Sequence, residues 1–235
     1  MTRWERRIAR AAELEESQPA AAEWLRFYRA LAAFQSDPRI APPILDFLPA
    51  LLDLVRHKAT AVLAERAACL AVHPDNWASL FDDSAGPADA FFIRALEQPH
   101  FERQALQSGV ATNVVQPACP FCFEPPVAAI LRPEGDGGRR TLLCGRCFTE
   151  WEFRRVLCPG CGEEDREKLP IYTDAAGFPH IRVEACDTCH HYLKAIDLTR
   201  DGNAVPEVDE LAAVALDLWA VDHGYQKLAP NIFGL

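Results

Sequence analysis

Four pairs of cysteines hold the chemical potential of this 235-residue chain: Cys119 and Cys122, Cys144 and Cys147, Cys158 and Cys161, and Cys186 and Cys189. Two residues separate the members of each pair. That gap lets a tight turn aim both sulfurs at one point, and two such turns supply the four ligands of a tetrahedral metal site. Hairpin-prone segments separate the first pair from the second and the third from the fourth. Tandem pairing is therefore expected, with Cys119, Cys122, Cys144 and Cys147 in one site and Cys158, Cys161, Cys186 and Cys189 in the other; an interleaved arrangement is the alternative. All-sulfur tetrahedral sites suit zinc, or iron in the rubredoxin manner, and the ligands do not choose between them. Such sites either staple core-poor hairpins together, since very small units need a metal or disulfides to fold, or carry a redox-active or labile ion. An iron–sulfur cluster is a further option for paired cysteines. A thiol–disulfide role for Cys158-Pro-Gly-Cys161 is another, but Gly162-Glu163-Glu164-Asp165 follows it without the apolar helical face such chemistry uses.

Other residues near the pairs have simpler readings. His190 and His191 follow Cys189 directly and, with four thiolates already at hand, are expected beside the site and not in it. Trp151 is expected to pack over the first site. The ninth cysteine, Cys69, stands alone in Ala67-Ala68-Cys69-Leu70-Ala71 and reads as a small buried helix residue.

The elements that must position these cysteines change character at about residue 117. After it come short β-prone runs between Gly/Pro clusters. Val127 to Leu131 and Arg140 to Leu143 flank Pro133-Glu134-Gly135-Asp136-Gly137-Gly138, a hairpin with a loose turn, and Leu169 to Thr173 and His180 to Ala185 flank a second such segment at 174–179. A closing helix is expected from about Glu207 to His223, with Val208, Leu211, Ala215, Leu218 and Trp219 as its apolar face, the acidic residues mostly off it, and Gly224 as its stop. Before residue 117 the chain reads as helix. Trp24, Phe27, Tyr28, Leu31 and Phe34 recur at helical spacing, as do the apolar residues from Ile44 to Val72, and Phe91 to Leu96 suggest one more helix ending before Pro99. The expected class is α+β: an all-helical domain over 1–117, then two rubredoxin-like or zinc-ribbon-like metal modules over 118–157 and 158–235, the second carrying the C-terminal helix.

Composition narrows the partners. Lys and Arg number 24 against 34 Asp and Glu, a net charge of −10. The cysteine-bearing half is the more acidic, with 12 basic and 19 acidic residues. A nucleic-acid partner is not expected, because binding polyanions relies on clustered Lys and Arg. No apolar run approaches the roughly 20 residues of a membrane-spanning helix. The opening MTRWERRIARAAELEESQ has no apolar core of a secretory signal, so a cytoplasmic location with reduced thiols is expected. Phosphate loops, dinucleotide fingerprints and nucleophile–base constellations are missing from the sequence, and an enzyme is not expected.

The stretch Cys144-x-x-Cys147-x-Thr149-x-Trp151 leading through Arg155 to Cys158-x-x-Cys161, with Cys186-Asp187-x-Cys189-x-x-Tyr192-Leu193-Lys194, resembles the FdhE-type formate dehydrogenase accessory proteins. The tail adds Asp209-Glu210-Leu211-Ala212, Leu216-Asp217-Leu218, Gly224-Tyr225 and Pro230-Asn231-Ile232-Phe233. The resemblance covers about Cys119 to Leu235, and over 1–117 it extends only to helical character. It implies two mononuclear tetracysteine metal ions, iron favoured and zinc the other candidate, held by the eight paired cysteines. It also implies a non-enzymatic cytoplasmic maturation factor or chaperone that binds the catalytic subunit of a respiratory formate dehydrogenase. A rubredoxin-like electron-transfer or thiol-redox protein is the alternative. Phe123 stands where that family usually places glycine after the second cysteine, a position that favours glycine because it accepts positive φ freely.

Overall fold

The structure, a computed structural model, describes residues 1–81, 86–135 and 137–235. Its first half is built from α1 (Arg3–Ser17), α2 (Ala22–Gln35), α3 (Leu48–Lys58), α4 (Ala61–Val72) and α5 (Pro87–Ser108). Thr2 starts α1 in a capping box, its hydroxyl accepting from the Glu5 amide while the Glu5 carboxylate accepts from the Thr2 amide. The expected face of α2 turns inward through Phe27, Tyr28 and Leu31. The apolar region from Ile44 to Val72 is a short 3-10 turn followed by two helices, broken at Ala59 and Thr60, where the backbone is extended.

The last of these helices departs from expectation, because α5 runs straight through Pro99. A proline inside a helix leaves the carbonyl four residues earlier without its amide donor. Here that carbonyl is Ala95, and the buried Gln35 side chain donates to it from α2 at 2.8 Å. The orphaned acceptor is satisfied by a tertiary contact that local sequence does not announce. Cys69, expected inside, is exposed on α4, with Arg66 3.7 Å from its sulfur.

The second half forms one seven-stranded sheet among the described residues. Its strands are β1 (Pro126–Glu134), β2 (Gly137–Cys144), β3 (Glu150–Glu152), β4 (Ile171–Thr173), β5 (Ile181–Ala185), β6 (His191–Asp197) and β7 (Gln226–Lys227), in the order β3-β2-β1-β6-β5-β4 with β7 beside β6. The first hairpin is tighter than expected: Glu134 pairs with Gly137, and of the two residues between them Gly135 takes a positive φ of 53° while Asp136 lies outside the described residues. The second hairpin pairs β4 with β5. Between the hairpins, β1 and β6 pair in parallel from Ala128↔Lys194 to Leu131↔Asp197. Both faces of this central pair are covered, so Ala129, Ile130, Ala195 and Ile196 are all buried.

The closing helix is two helices, α6 (Pro206–Ala212) and α7 (Val214–Asp222), broken at Ala213. The buried Lys194 ammonium donates to the carbonyls of Glu210 at 2.5 Å and Ala213 at 3.3 Å, groups at the break. The break rotates the inward face. Leu216, Asp217 and Ala220 are buried on α7, whereas the expected Ala215 and Leu218 are exposed, and the acidic Asp209, Glu210 and Asp217 lie inside. Val208, Leu211 and Ile232 complete the core of the helical half, and Phe233 stacks against Phe27 and Phe91. Among the described residues, no helix is long and apolar enough to cross a membrane.

Candidate metal centres

The eight paired cysteines gather in tandem: Cys119, Cys122, Cys144 and Cys147 in one group, Cys158, Cys161, Cys186 and Cys189 in the other, with all ligand atoms of each group within 4.8 Å of one another. The first group forms because Cys144 ends β2, while the segment before β1 brings Cys119 and Cys122 alongside. In the second, Cys186 follows β5 and Cys189 precedes β6, so the turn joining those two strands holds both.

All four turns share one backbone device. The residue after the second cysteine is left-handed in each: Phe123 (φ 64°), Phe148 (54°), Gly162 (79°) and His190 (56°). In the first, third and fourth turns its amide donates back to the carbonyl of the first cysteine, at 3.0, 3.0 and 2.8 Å. In every turn the amide of the first cysteine donates to the carbonyl five residues on, at 2.9 to 3.0 Å. Only one of the four positions is glycine, so three side chains are held in a region they disfavour. Phe123 is 77% exposed and loses little packing if removed. Phe123→Gly is therefore expected to stabilise the chain by about 1 kcal/mol, read as a raised urea midpoint; an unchanged or lowered midpoint would contradict the strain assigned to this turn.

The donor set fits a mononuclear ion. A tetrahedral thiolate site with metal–sulfur bonds of about 2.3 Å sets its sulfurs about 3.8 Å apart. Cys122 lies 3.3 Å from Cys144 and 3.6 Å from Cys147, Cys119 3.5 Å from Cys147, and in the second group Cys158–Cys189 and Cys161–Cys186 are both 3.7 Å. All nine cysteines are free thiols. Backbone amides also face sulfur, Arg146 to Cys144 at 3.4 Å and Gly160 to Cys158 at 3.3 Å, which favours thiolate. Without a cation the crowding opposes ionisation of all four sulfurs together. The sulfurs ionise unequally: hydrogen bonding from the other three holds the Cys119 thiol down, while hydrogen bonding from its three sulfur neighbours, together with burial, drives the Cys144 thiol far up, and burial raises that of Cys189. A cation is what lets four sulfurs ionise at one point.

The surroundings of the two groups differ. Cys119, Cys144 and Cys147 sit in a hydrophobic cluster with Trp151, Leu142, Phe153 and Leu193, and Phe101 of α5 packs against it. Trp151 occupies this cluster as expected, its indole donating to the Gln116 carbonyl at 2.9 Å. Helix α5 also grips the second turn. Gln98 donates to the Gly145 carbonyl at 2.9 Å, Arg146 pairs with Glu97 at 2.7 Å, and the guanidinium of Arg146 lies 3.9 Å over the Phe101 ring. Around the second group, Cys161 is exposed and Cys189 half-buried. His190 is exposed and His191 sits at the start of β6, its Nδ1 buried without a hydrogen-bond partner.

Several buried charges join the sheet to the helices, a role that the motif residues Tyr192, Lys194, Asp209, Glu210, Asp217 and Asn231 do not announce in the sequence. Lys194 bridges Glu210 at 2.9 Å and Asp217 at 2.5 Å, and Tyr192 donates to Asp217 at 2.8 Å. Lys227 also pairs with Glu210, and Asn231 donates to it at 3.1 Å. Arg7 pairs with Glu102 and Glu207, tying α1 to α5 and α6, and Arg10 pairs with Asp201 and Asp209. The signal available was a lysine set among apolar strand residues in Tyr192-Leu193-Lys194-Ala195-Ile196, and arginines recurring on the face of α1 that carries Ala11 and Leu14. His180, Asp201 and Asp209 also lie close enough to hold a cation, but the Arg10 guanidinium already supplies the positive charge there.

Residues 118–155 match the central domain of FdhE and residues 156–233 match its C-terminal domain. An FdhE homolog from Aquifex aeolicus is 38% identical over 117 residues, 49% of this chain and 41% of that protein. One from Stutzerimonas stutzeri is 36% identical over 157 residues, 64% of this chain and 50% of that protein. The chain thus spans half or less of the length of these curated relatives. The crystal structure of the FdhE protein from Pseudomonas aeruginosa shares the fold, with a TM-score of 0.75 at 24% identity over 99% of this chain and 96% of that one. The fold likeness extends through the helical half, which the sequence matches to the two domains do not reach. With the two adjoining FdhE domains filling residues 118–233 and carrying all eight paired cysteines, that half of the chain belongs to the FdhE family.

Proposed function

We propose that this protein is a non-enzymatic accessory factor for a formate dehydrogenase, acting in the cytoplasm by binding the enzyme's catalytic subunit during maturation. We further assign the two cysteine groups as the ligands of two mononuclear metal ions, one per group. The observation that carries the reading is the pairing of two mononuclear-type tetrathiolate sites with the central and C-terminal FdhE domains on a single sheet. Such a sheet with helices packed at its flank supplies rigid surfaces for contact, and function resides in those surfaces and not in the fold as such.

The test is genetic and biochemical together. Deleting the gene is expected to lower formate dehydrogenase activity without lowering the catalytic subunit's transcript, and the wild-type gene returned on a plasmid is expected to restore it. Affinity-tagged protein from the same host is expected to bring down the catalytic subunit. Unchanged activity in the deletion strain refutes the accessory role there. Exposure of Cys161 favours a second reading, electron exchange through an iron centre. A visible absorbance that bleaches on reduction and returns on reoxidation would support it, and colourless protein with two bound zinc ions would exclude it.

A further inference from the structure

The two groups offer equivalent sulfurs but unequal access. In the first, Cys119 and Cys144 are fully buried and Cys147 is 2% exposed. Its second turn is clamped by Gln98, Glu97 and Phe101, all from α5. Cys122, followed by exposed Phe123, is its one half-buried sulfur. A solution donor can touch that edge, but to take the ion from the other three sulfurs it must lift α5 from the sheet, a local opening that breaks a buried amide–carbonyl bond and an ion pair as well as apolar contacts. In the second, Cys158 and Cys186 are buried, but Gly160, Cys161 and Gly162 form an exposed strip, and Asp187, Thr188 and His190 around the half-buried Cys189 are exposed as well. None of these cysteines belongs to a hydrophobic cluster among the described residues. The fourth turn is held by a part-buried bond from the Tyr225 hydroxyl to Asp187 at 2.6 Å and an exposed one from Thr188 to Glu163 at 2.6 Å.

We propose that the second centre, entered through Cys161, exchanges a thiophilic metal ion with solution, while the first is a permanent structural centre. This rests on the assignment of both groups as metal ligands. The step is a ligand exchange without change of oxidation state. The bond from the Cys161 sulfur to the metal breaks as one from an incoming donor forms, and the freed thiolate takes a proton from water.

The full-length chain loaded with Zn2+ provides the test. Metal analysis comes first, and two ions per chain are expected. An excess of the chromophoric chelator 4-(2-pyridylazo)resorcinol is then expected to draw one equivalent quickly and the other at least about ten-fold more slowly, the delay being the local opening at α5. Pulse alkylation with N-ethylmaleimide during the fast phase, read by mass spectrometry, is expected to mark Cys158, Cys161, Cys186 and Cys189 and to spare the other four. Gln98→Ala is expected to speed the slow phase by about five-fold, the loss of one hydrogen bond, and to leave the fast phase alone. Fewer than two bound ions overturns the ligand assignment itself. Two ions released at one rate, first-group cysteines labelled early, or a Gln98→Ala effect confined to the fast phase overturns the division while leaving that assignment standing.

Discussion

Cys144→Ser is expected to remove one of the two bound ions and to destabilise the whole chain, not one hairpin alone. Cys144 ends β2, is fully buried, and shares its cluster with Trp151, Ala129 and Ala195. Ala129 and Ala195 are partners across the parallel β1–β6 pair, so the lining of this centre is also the middle of the sheet. Binding to structural four-ligand zinc sites contributes about 10–16 kcal/mol in isolated fingers, and whole domains are stable by only about 5–15 kcal/mol. Losing one ligand of four, with a hydroxyl left in an apolar cluster, is expected to cost about 5 kcal/mol or more. The checks are metal content, falling from two ions to one, and a urea transition that moves sharply to lower denaturant for helices and sheet together. Full metal retention would remove Cys144 from the ligand set.

Lys194→Met is the second large effect, expected at about 3–5 kcal/mol because it leaves two buried carboxylates sharing a single cation, Lys227. Of the two cations facing Glu210 and Asp217 only Lys227 would remain, beside the neutral donors Asn231 and Tyr192, and the carbonyls of Glu210 and Ala213 at the α6–α7 break would lose the Lys194 ammonium. A loss below 1 kcal/mol by urea unfolding would sink this reading of the network. Acid gives a second readout. Burial pushes the Glu210 carboxyl up, but Lys194 and Lys227 outweigh it and hold the group down from 4.5 to about 2. A lowered folded-state value makes the contribution complete above pH 4.5 and lost as pH falls toward 2. Lys194→Met is expected to shrink that acid-side loss, since the group would no longer be held so low.

The cysteine spacing and the hairpin signals were legible because they are local. A two-residue gap constrains a turn, and a run of β-prone residues beside a Gly/Pro cluster constrains a hairpin, whatever surrounds them. The end of α5 was not legible, since Pro99 breaks a helix by every local rule and Gln35, 64 positions earlier in the chain, reverses the outcome. The inner face of α7 was misread for the same reason. Its register is set by a break at Ala213 that depends on a lysine in β6. The preference for glycine after the second cysteine marks Phe123 as unfavourable, yet Phe123, Phe148 and His190 adopt the same left-handed conformation as Gly162, because the surrounding hydrogen bonds over-determine it.

From residue types and their separations alone came the helical first half, the tandem division of eight cysteines, the ninth left over, and the family resemblance. These depend on interactions within a few residues, or on closing one hairpin. The fusion of both hairpins into one sheet through β1 and β6, the buried charges that join sheet to helices, and the unequal shielding of two otherwise equivalent sulfur groups came only with the tertiary structure. Each is a contact between segments tens to hundreds of residues apart, and no local pattern encodes which of two identical ligand sets a distant helix will cover.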